Sequence, residues 1–221
     1  MTDPIPPQGD SYGWTVPDGW QQGRGAFGGL VIAQSVRALE AQLLAQPGTS
    51  DQQLRSISVT LCAPVTLGHV SQHVELLRTG SKTTFMRASS SQGGEIRADV
   101  VATFGQRRVE DLDFCDMPAP HAPPASEVAC VAIGPPMAPV FAQHFEFRPI
   151  AGFPLSASDT RAALGWVRAK QRVAEPGAAE LAMLMDVWWP ATLVALDRPR
   201  PLATMVFTLQ FFGGWDGVDP D

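Results

Sequence analysis

The stretch FGGLVIAQSVRALEAQLLAQPG, residues 27–48, sets the first element of the fold. Between Leu30 and Leu43 its apolar side chains recur every three or four residues, which is the spacing of one face of an α-helix. Pro47 and Gly48 end the pattern, because proline interrupts helical hydrogen bonding and glycine favours the turn after a helix. The stretch therefore predicts one long helix whose apolar face must be covered by other segments.

The segments after this helix change to an apolar period of two, which is typical of half-buried strands. Four such segments occupy residues 54–65, 70–77, 83–90 and 95–106. Short glycine turns separate the last three, which indicates hairpins and hence an antiparallel sheet with one covered face. With one more short strand within residues 13–20, the pattern predicts one helix wrapped by a five-stranded antiparallel sheet, the arrangement called a hot-dog.

The second half of the chain repeats this order in outline. Residues 107–140 carry seven prolines and predict an extended connection. Beyond it we expect strands at residues 143–148 and 164–170, a helix over residues 178–196 that Pro190 kinks or ends, and a strand over residues 202–212. Because the triplet Val59-Thr60-Leu61 after the first helix matches Phe207-Thr208-Leu209 after the second, we interpret the chain as a duplication.

The predicted fold class is α+β, a tandem or double hot-dog in which long helices are wrapped by antiparallel sheet. The first repeat covers residues 1–106, the proline-rich connection residues 107–140, and the second repeat residues 141–221. Fewer strands follow the second helix than the first, so the second repeat is C-terminally incomplete. Because a half sheet leaves an open edge, we expect a longer natural protein or another chain to complete it.

The second helical segment, LAMLMDVWW at residues 181–189, carries a single ionisable group, Asp186. A helix that is apolar on nearly every face is normally buried, so a charge within it is either solvated at one edge or placed there for chemistry. Desolvation raises the pKa of a carboxylate and makes it a better base near neutral pH. Thr204, on the following strand, has a hydroxyl that could hold the same water. The alternative for Asp186 is a surface or helix-capping residue.

The order and spacing of these segments resemble the double hot-dog acyl-CoA thioesterases, the type II or TesB-like family. The matching segments are GRGAFGGLVIAQS (residues 23–35), LRSISVTLCAPV (54–65), LLRTGSKTTFMRA (76–88), LAMLMDVWWPA (181–191) and PLATMVFTLQFF (201–212). The resemblance implies hydrolysis of acyl-CoA to a fatty acid and free CoA. It implies that an Asp of the second helix, a Thr or Ser of the next strand and a Gln of a later strand hold the attacking water. Asp186 and Thr204 match the first two, and the Gln would lie beyond Asp221.

Other residues are secondary candidates for contact with substrate. Gly28 and Gly29 line the start of the first helix, where backbone N–H groups can bind an oxyanion or a phosphate. Thr208 and Gln210 share the strand face of Thr204, although such residues more often only pair across a sheet. Three tryptophans could line an acyl tunnel: Trp188, Trp189 and Trp215. Packing in a core or an interface is the commoner role of such residues.

Composition argues against several classes of function. The formal net charge of -6 and the absence of a Lys and Arg cluster argue against binding to nucleic acid or anionic membrane. No window approaches the roughly 20 apolar residues of a membrane span and no secretory signal is present, so we expect a cytoplasmic protein. Cys62, Cys115 and Cys130 lack zinc or disulfide spacing, and His69 and His73 are too far apart on a strand to share an ion. We therefore expect neither a metal nor a cofactor.

Further interpretations stay open at this point. A non-catalytic acyl- or CoA-binding hot-dog protein would fit the missing C-terminal strands. A hot-dog hydratase needs an Asp and a His close together after the first helix, and the sequence has no such pair there. Residues 23–28 fit G-x-G-x-x-G by letter, but antiparallel hairpins follow them instead of the parallel unit of a dinucleotide site. Exposed sheet edges and the family resemblance favour a homodimer or larger assembly.

Overall fold

The computed structural model describes residues 5–8, 11–107, 116–160, 162–171, 173 and 176–212. The strands of the first half are β1 (Ile5–Gln8), β2 (Ser11–Val16), β3 (Gln21–Gln22), β4 (Gly25–Ala26), β5 (Gln52–Leu61), β6 (Gly68–Thr79), β7 (Thr83–Gln92) and β8 (Glu95–Gln106). Those of the second half are β9 (Phe145–Ala151), β10 (Leu164–Ala169) and β11 (Val206–Gln210). The α-helices are α1 (Gly28–Leu44) and α2 (Ala178–Met185), and short 3-10 helices cover Ala125–Glu127, Val140–His144 and Ala191–Ala195.

Helix α1 forms the centre of the core. Eleven of its 17 residues are buried, which is more than a single apolar face would give. The sheet covers one side of the helix and α2 packs against it as well. The sequence between Leu30 and Leu39 is apolar enough to satisfy both neighbours, since Leu30, Ile32, Val36 and Leu39 are all at most 1% exposed.

The main sheet has seven strands in the order β1-β2-β6-β7-β8-β5-β11, and every neighbouring pair is antiparallel. The five central strands from β2 to β5 confirm the predicted hot-dog arrangement around α1. Alternate residues face the helix, so Val74, Ala88 and Val100 on three adjacent strands are buried. The alternating pattern of the sequence therefore fixes which face of the sheet meets α1.

Strand β11 of the second half extends the sheet of the first half. It pairs with β5, and Phe207 lies directly opposite Val59. These two residues are also equivalent in the sequence repeat. The two strands therefore pair in the way expected of two copies related by a local two-fold axis. The second half contributes a separate ribbon as well, because β9 and β10 form a two-stranded antiparallel sheet.

The second helix is shorter than predicted: α2 ends at Met185, and the expectation of a helix over residues 178–196 is wrong. The chain leaves the helix because Trp188 and Trp189 stack on each other with ring centroids 4.3 Å apart and pack against Phe147 of β9. Pro190 then adopts an extended conformation. In the part of the chain that the structure describes, α1 is therefore the only long helix.

The strand expected over residues 202–212 is also shorter, because β11 begins at Val206. Its partner β5 ends at Leu61, whose N–H donates to the Met205 carbonyl at 2.9 Å. The next two backbone N–H groups, of Cys62 and Ala63, donate instead to the Arg97 carbonyl. Thr204 therefore lies in the irregular segment before β11 and not on a strand, as the sequence had suggested.

The described part of the proline-rich connection packs against the second half. Val131 pairs with Phe147 of β9, and the Arg148 guanidinium donates to the Val128 carbonyl at 2.6 Å. The Trp166 indole N–H of β10 donates to the Pro123 carbonyl at 2.8 Å. Among the described residues, no helix combines the length and the apolar character needed to cross a bilayer.

Candidate active site

Asp186 lies where the two halves of the chain meet. It is the residue that caps the C-terminus of α2, and its backbone N–H donates to the Met183 carbonyl at 3.2 Å. Its side chain reaches across to the first turn of α1, where the Gly29 N–H donates a hydrogen bond to the carboxylate. One half therefore supplies the carboxylate and the other half supplies the helix N-terminus that receives it.

Two adjacent glycines make this approach possible. A Cβ atom on Gly28 would lie 2.7 Å from Oδ2 of Asp186. A Cβ atom on Gly29 would lie 2.8 Å from the Met183 carbonyl oxygen, so α2 itself contacts the helix start at that point. Because both distances are shorter than a normal contact, any larger residue at either position must displace the carboxylate or the helix that carries it.

The carboxylate is half-buried, and its surroundings alter its acidity. Burial raises the pKa of Asp186 from 3.8 to about 6, and the hydrogen bond from Gly29 opposes this rise without cancelling it. The positive end of the α1 dipole also favours the charged form. At neutral pH the group is therefore mostly ionised, yet more basic than an ordinary aspartate.

The immediate neighbours on the sheet side are apolar. Leu61 at the end of β5 would place its Cδ1 atom 3.4 Å from a Cβ on Gly28, so it borders the same space as the carboxylate. Met205 is hydrogen-bonded to Leu61 through its backbone, and its side chain is 71% exposed. Sequence patterns assign Leu61 only to the buried face of a strand, and neither residue carries a signal of a site.

Thr204 directly precedes Met205 and so lies at the edge of this region. Its side chain is exposed, and none of the described contacts joins it to Asp186. The structure therefore brings Asp186 together with Gly28 and Gly29, and it leaves Thr204 nearby along the chain without a direct contact.

The remaining candidates lie elsewhere. Thr208 and Gln210 are exposed on β11, opposite Ser58 and Ser56, on the face of the sheet that points away from α1. Trp189 is part of the tryptophan stack, and its indole N–H donates to the Gly152 carbonyl at 2.7 Å. Cys115 and Trp215 lie outside the described residues, and Cys62 and Cys130 are free thiols.

Comparison with known families follows the same division of the chain. The acyl-CoA thioesterase N-terminal domain matches residues 16–105, and the acyl-CoA thioesterase C-terminal domain matches residues 115–219. The chain belongs to the acyl-CoA thioesterase family. As a member of this family it is a thioester hydrolase, and Asp186 and the two glycines come from different domains of it.

Several solved structures have a fold similar to that of this thioesterase. A hot-dog protein of unknown function from Alicyclobacillus acidocaldarius has a TM-score of 0.80 and 25% identity, over 94% of this chain and 75% of that one. The tesB protein of Mycobacterium avium subspecies paratuberculosis has a TM-score of 0.72 and 17% identity, over 96% and 78%. An acyl-CoA thioesterase II from Mycobacterium marinum has a TM-score of 0.61 and 19% identity, over 84% and 66%. A comparison with curated proteins gives no match.

Proposed function

We propose that this thioesterase hydrolyses acyl-CoA to a free carboxylic acid and CoA, with Asp186 as the general base that activates water. The observation that supports this most strongly is the half-buried carboxylate of Asp186, which lies against the first turn of α1 and has its pKa raised to about 6. A base of this strength is charged at neutral pH and still accepts a proton readily. Its Oδ2 is also the atom nearest to the position that a Cβ on Gly28 would take, 2.7 Å away.

The proposed reaction needs no covalent enzyme intermediate. Asp186 accepts a proton from water while the water oxygen forms a bond to the thioester carbonyl carbon. The resulting oxyanion is stabilised by the N-terminus of α1, where the Gly28 N–H is a suitable donor. The carbon–sulfur bond then breaks, and the protonated Asp186 returns its proton to the departing CoA sulfur.

Apolar side chains beside the carboxylate support an acyl substrate. Leu61 borders the space at Gly28. The exposed Met205 is paired with Leu61 through a backbone hydrogen bond. Met185 directly precedes Asp186 and is 63% exposed. Methionine side chains adapt their shape to apolar ligands, so these residues suit a hydrocarbon chain entering the site.

Thr204 is proposed to hold the attacking water together with Asp186. Its position before Met205 and the exposure of its side chain support this role, since the hydroxyl is open to solvent and bound ligand. Thr208 offers a matched comparison, because it is an exposed threonine on the same segment whose side chain faces away from α1.

Release of free thiol from a series of acyl-CoAs, from acetyl-CoA to palmitoyl-CoA, tests the proposal. We expect turnover with at least one chain length, with one acid formed for each thiol released. Replacing Thr204 by Val should lower kcat about tenfold, the value of one lost hydrogen bond, whereas Thr208→Val should leave kcat within about twofold. Absence of thiol release with every substrate would refute the hydrolysis, and equal effects of the two threonine variants would remove Thr204 from the site.

A further inference from the structure

We infer that Arg37 and Glu180 are a positioning pair for the hydrolysis: their ion pair fixes α2 on α1 and thereby holds Asp186 against the first turn of α1. The inference rests on the proposed role of Asp186. It concerns two residues that lie away from the reacting atoms and act through the placement of the base.

The two side chains join the helices directly. Nη2 of Arg37 on α1 lies 2.5 Å from Oε1 of Glu180 on α2, and the side chains are only 15% and 11% exposed. The other oxygen of Glu180 accepts the Gly177 N–H at 2.9 Å, so the same carboxylate also caps the start of α2. The carboxylate of Glu180 therefore both caps the start of α2 and attaches α2 to α1.

The other buried side chains of α2 are mostly small. The helix has only eight residues, too few to be stable in isolation, so its placement depends on tertiary contacts. Besides Glu180, the buried residues of α2 are Ala178, Ala179, Ala182 and Met183, and the three alanine side chains pack closely without interlocking. A directional, buried ion pair supplies the register that these alanines lack.

The pair and the base are at opposite ends of the same helix contact. Arg37 lies eight residues beyond Gly29 on α1, about 12 Å away, and Glu180 lies six residues before Asp186 on α2, about 9 Å away. A shift of α2 by one residue along α1 would therefore move Asp186 by about 1.5 Å. A misplacement of about 1 Å can lower a rate by roughly 10²-fold, so a small loss of register suffices to impair the reaction.

The surroundings of Glu180 favour its ionised form. Burial favours the neutral acid, but the hydrogen bonds from Arg37 and from the Gly177 N–H hold the pKa of Glu180 below its usual value. Glu40, one turn after Arg37 on α1, has its pKa raised to about 7 by burial and by the charge of Glu180, which Arg37 opposes. Among the described residues, Arg37 is the cation that offsets the repulsion between these two partly buried carboxylates.

Steady-state hydrolysis of the best acyl-CoA over a range of pH tests the inference. We expect Glu180→Ala and Arg37→Met to lower kcat about 10- to 100-fold while KM changes less than about threefold. We also expect the rising limb of their pH profiles to move below 6, because a displaced Asp186 becomes better solvated. Glu180→Gln keeps one acceptor oxygen in place of the two that Glu180 presents to Arg37 and to the Gly177 N–H, so its kcat should fall between those of the wild type and Glu180→Ala.

A matched control is Glu146→Ala, which removes the ion pair between Glu146 of β9 and Arg168 of β10, 2.8 Å apart and on neither α1 nor α2. It should keep the wild-type kcat and pH profile. Thermal unfolding of every variant gives the folded fraction, and Arg37→Met leaves the cap of α2 intact if Glu180→Ala folds poorly. The inference is overturned if kcat falls only with the folded fraction while the rising limb stays in place. If Asp186→Asn, measured alongside, is also fully active, the proposed function fails instead.

Discussion

Gly28→Ala separates the placement of the base from the stability of the fold. The new Cβ would lie 2.7 Å from Oδ2 of Asp186 and 3.4 Å from Cδ1 of Leu61. Only the first distance is too short, and the atom concerned is the end of a flexible side chain. The carboxylate can therefore rotate away, and the backbone of α1 need not move.

The expected magnitudes follow from this geometry. Restoring an ordinary contact of about 3.4 Å displaces the carboxylate oxygen by roughly 0.7 Å, and a displacement near 1 Å can cost roughly 10²-fold in rate. We expect kcat to fall about 10- to 100-fold, equivalent to about 1.4–2.7 kcal/mol in the activation barrier. Alanine is favoured over glycine in a helix by up to about 1 kcal/mol, so the melting temperature should stay the same or rise.

Thiol release and thermal unfolding, measured on the same preparation, check this prediction. Gly134→Ala is the control, because a Cβ atom at Gly134 meets no atom within 4 Å and its backbone does not require glycine. It should match the wild type in both assays. A Gly28→Ala variant with wild-type kcat would refute the placement of the catalytic carboxylate at Gly28, and one with lowered activity and a much lower melting temperature would show a fold defect instead.

The remaining predictions concern pH and packing. The kcat/KM profile should rise with pH through an apparent pKa of about 6, because Asp186 must be charged to accept a proton. Steady-state kinetics between pH 4 and 8 measures this pKa. Because the folded pKa of Asp186 is raised, its contribution to stability is largest below pH 3.8 and is lost as pH rises through 6. Asp186→Asn should therefore be about 1–3 kcal/mol more stable than the wild type at pH 8, an advantage that shrinks toward pH 4 in denaturant unfolding. Gly29→Ala should lose about 1–3 kcal/mol of stability at any pH, since its Cβ would meet the Met183 carbonyl oxygen at 2.8 Å and the Phe27 ring.

Each of these expectations has a contrary result. A rising limb near 4 would show that Asp186 is fully solvated in the enzyme. An Asp186→Asn variant that is less stable at pH 8 would mean that the charged carboxylate stabilises the fold. A Gly29→Ala variant with wild-type stability would mean that α2 does not lie against the start of α1.

The first half of the fold could be predicted because its signals are local. The helical spacing from Leu30 to Leu43 and the alternating strands of residues 83–90 and 95–106 each determine their own structure. Observed elements α1, β7 and β8 agree with those expectations to within a few residues. The buried face was also evident, since the same alternation decides which side chains meet the helix.

The ends of α2 and β11 could not be read from the sequence, because they depend on contacts with distant segments. Helix α2 stops where Trp188 and Trp189 pack against Phe147, and β11 begins only where β5 still offers a partner at Leu61. Local sequence at residues 186–196 favours a longer helix, and tertiary packing overrides it.

The same limit applies to the candidate site. The sequence indicates Asp186 as a candidate because it is the lone ionisable group of an apolar segment. It indicates Gly28 and Gly29 because they line the start of a helix. Nothing local shows that these residues meet, because the contact joins opposite halves of the chain. The Arg37–Glu180 pair gave no signal either, since charged residues on a helix are usually solvated.

The central claim is that Asp186 is the base of the thioesterase reaction, and kcat of Asp186→Asn for the best acyl-CoA substrate at pH 8 tests it most directly. Asparagine keeps the shape of the side chain and an oxygen for the Gly29 N–H, but it cannot accept a proton. Because general base catalysis contributes about 10²–10⁴-fold, we predict a loss of kcat in that range with little change in KM and no loss of fold. A variant that keeps kcat within about threefold of the wild type would contradict the claim, since no base of that catalytic value would have been removed.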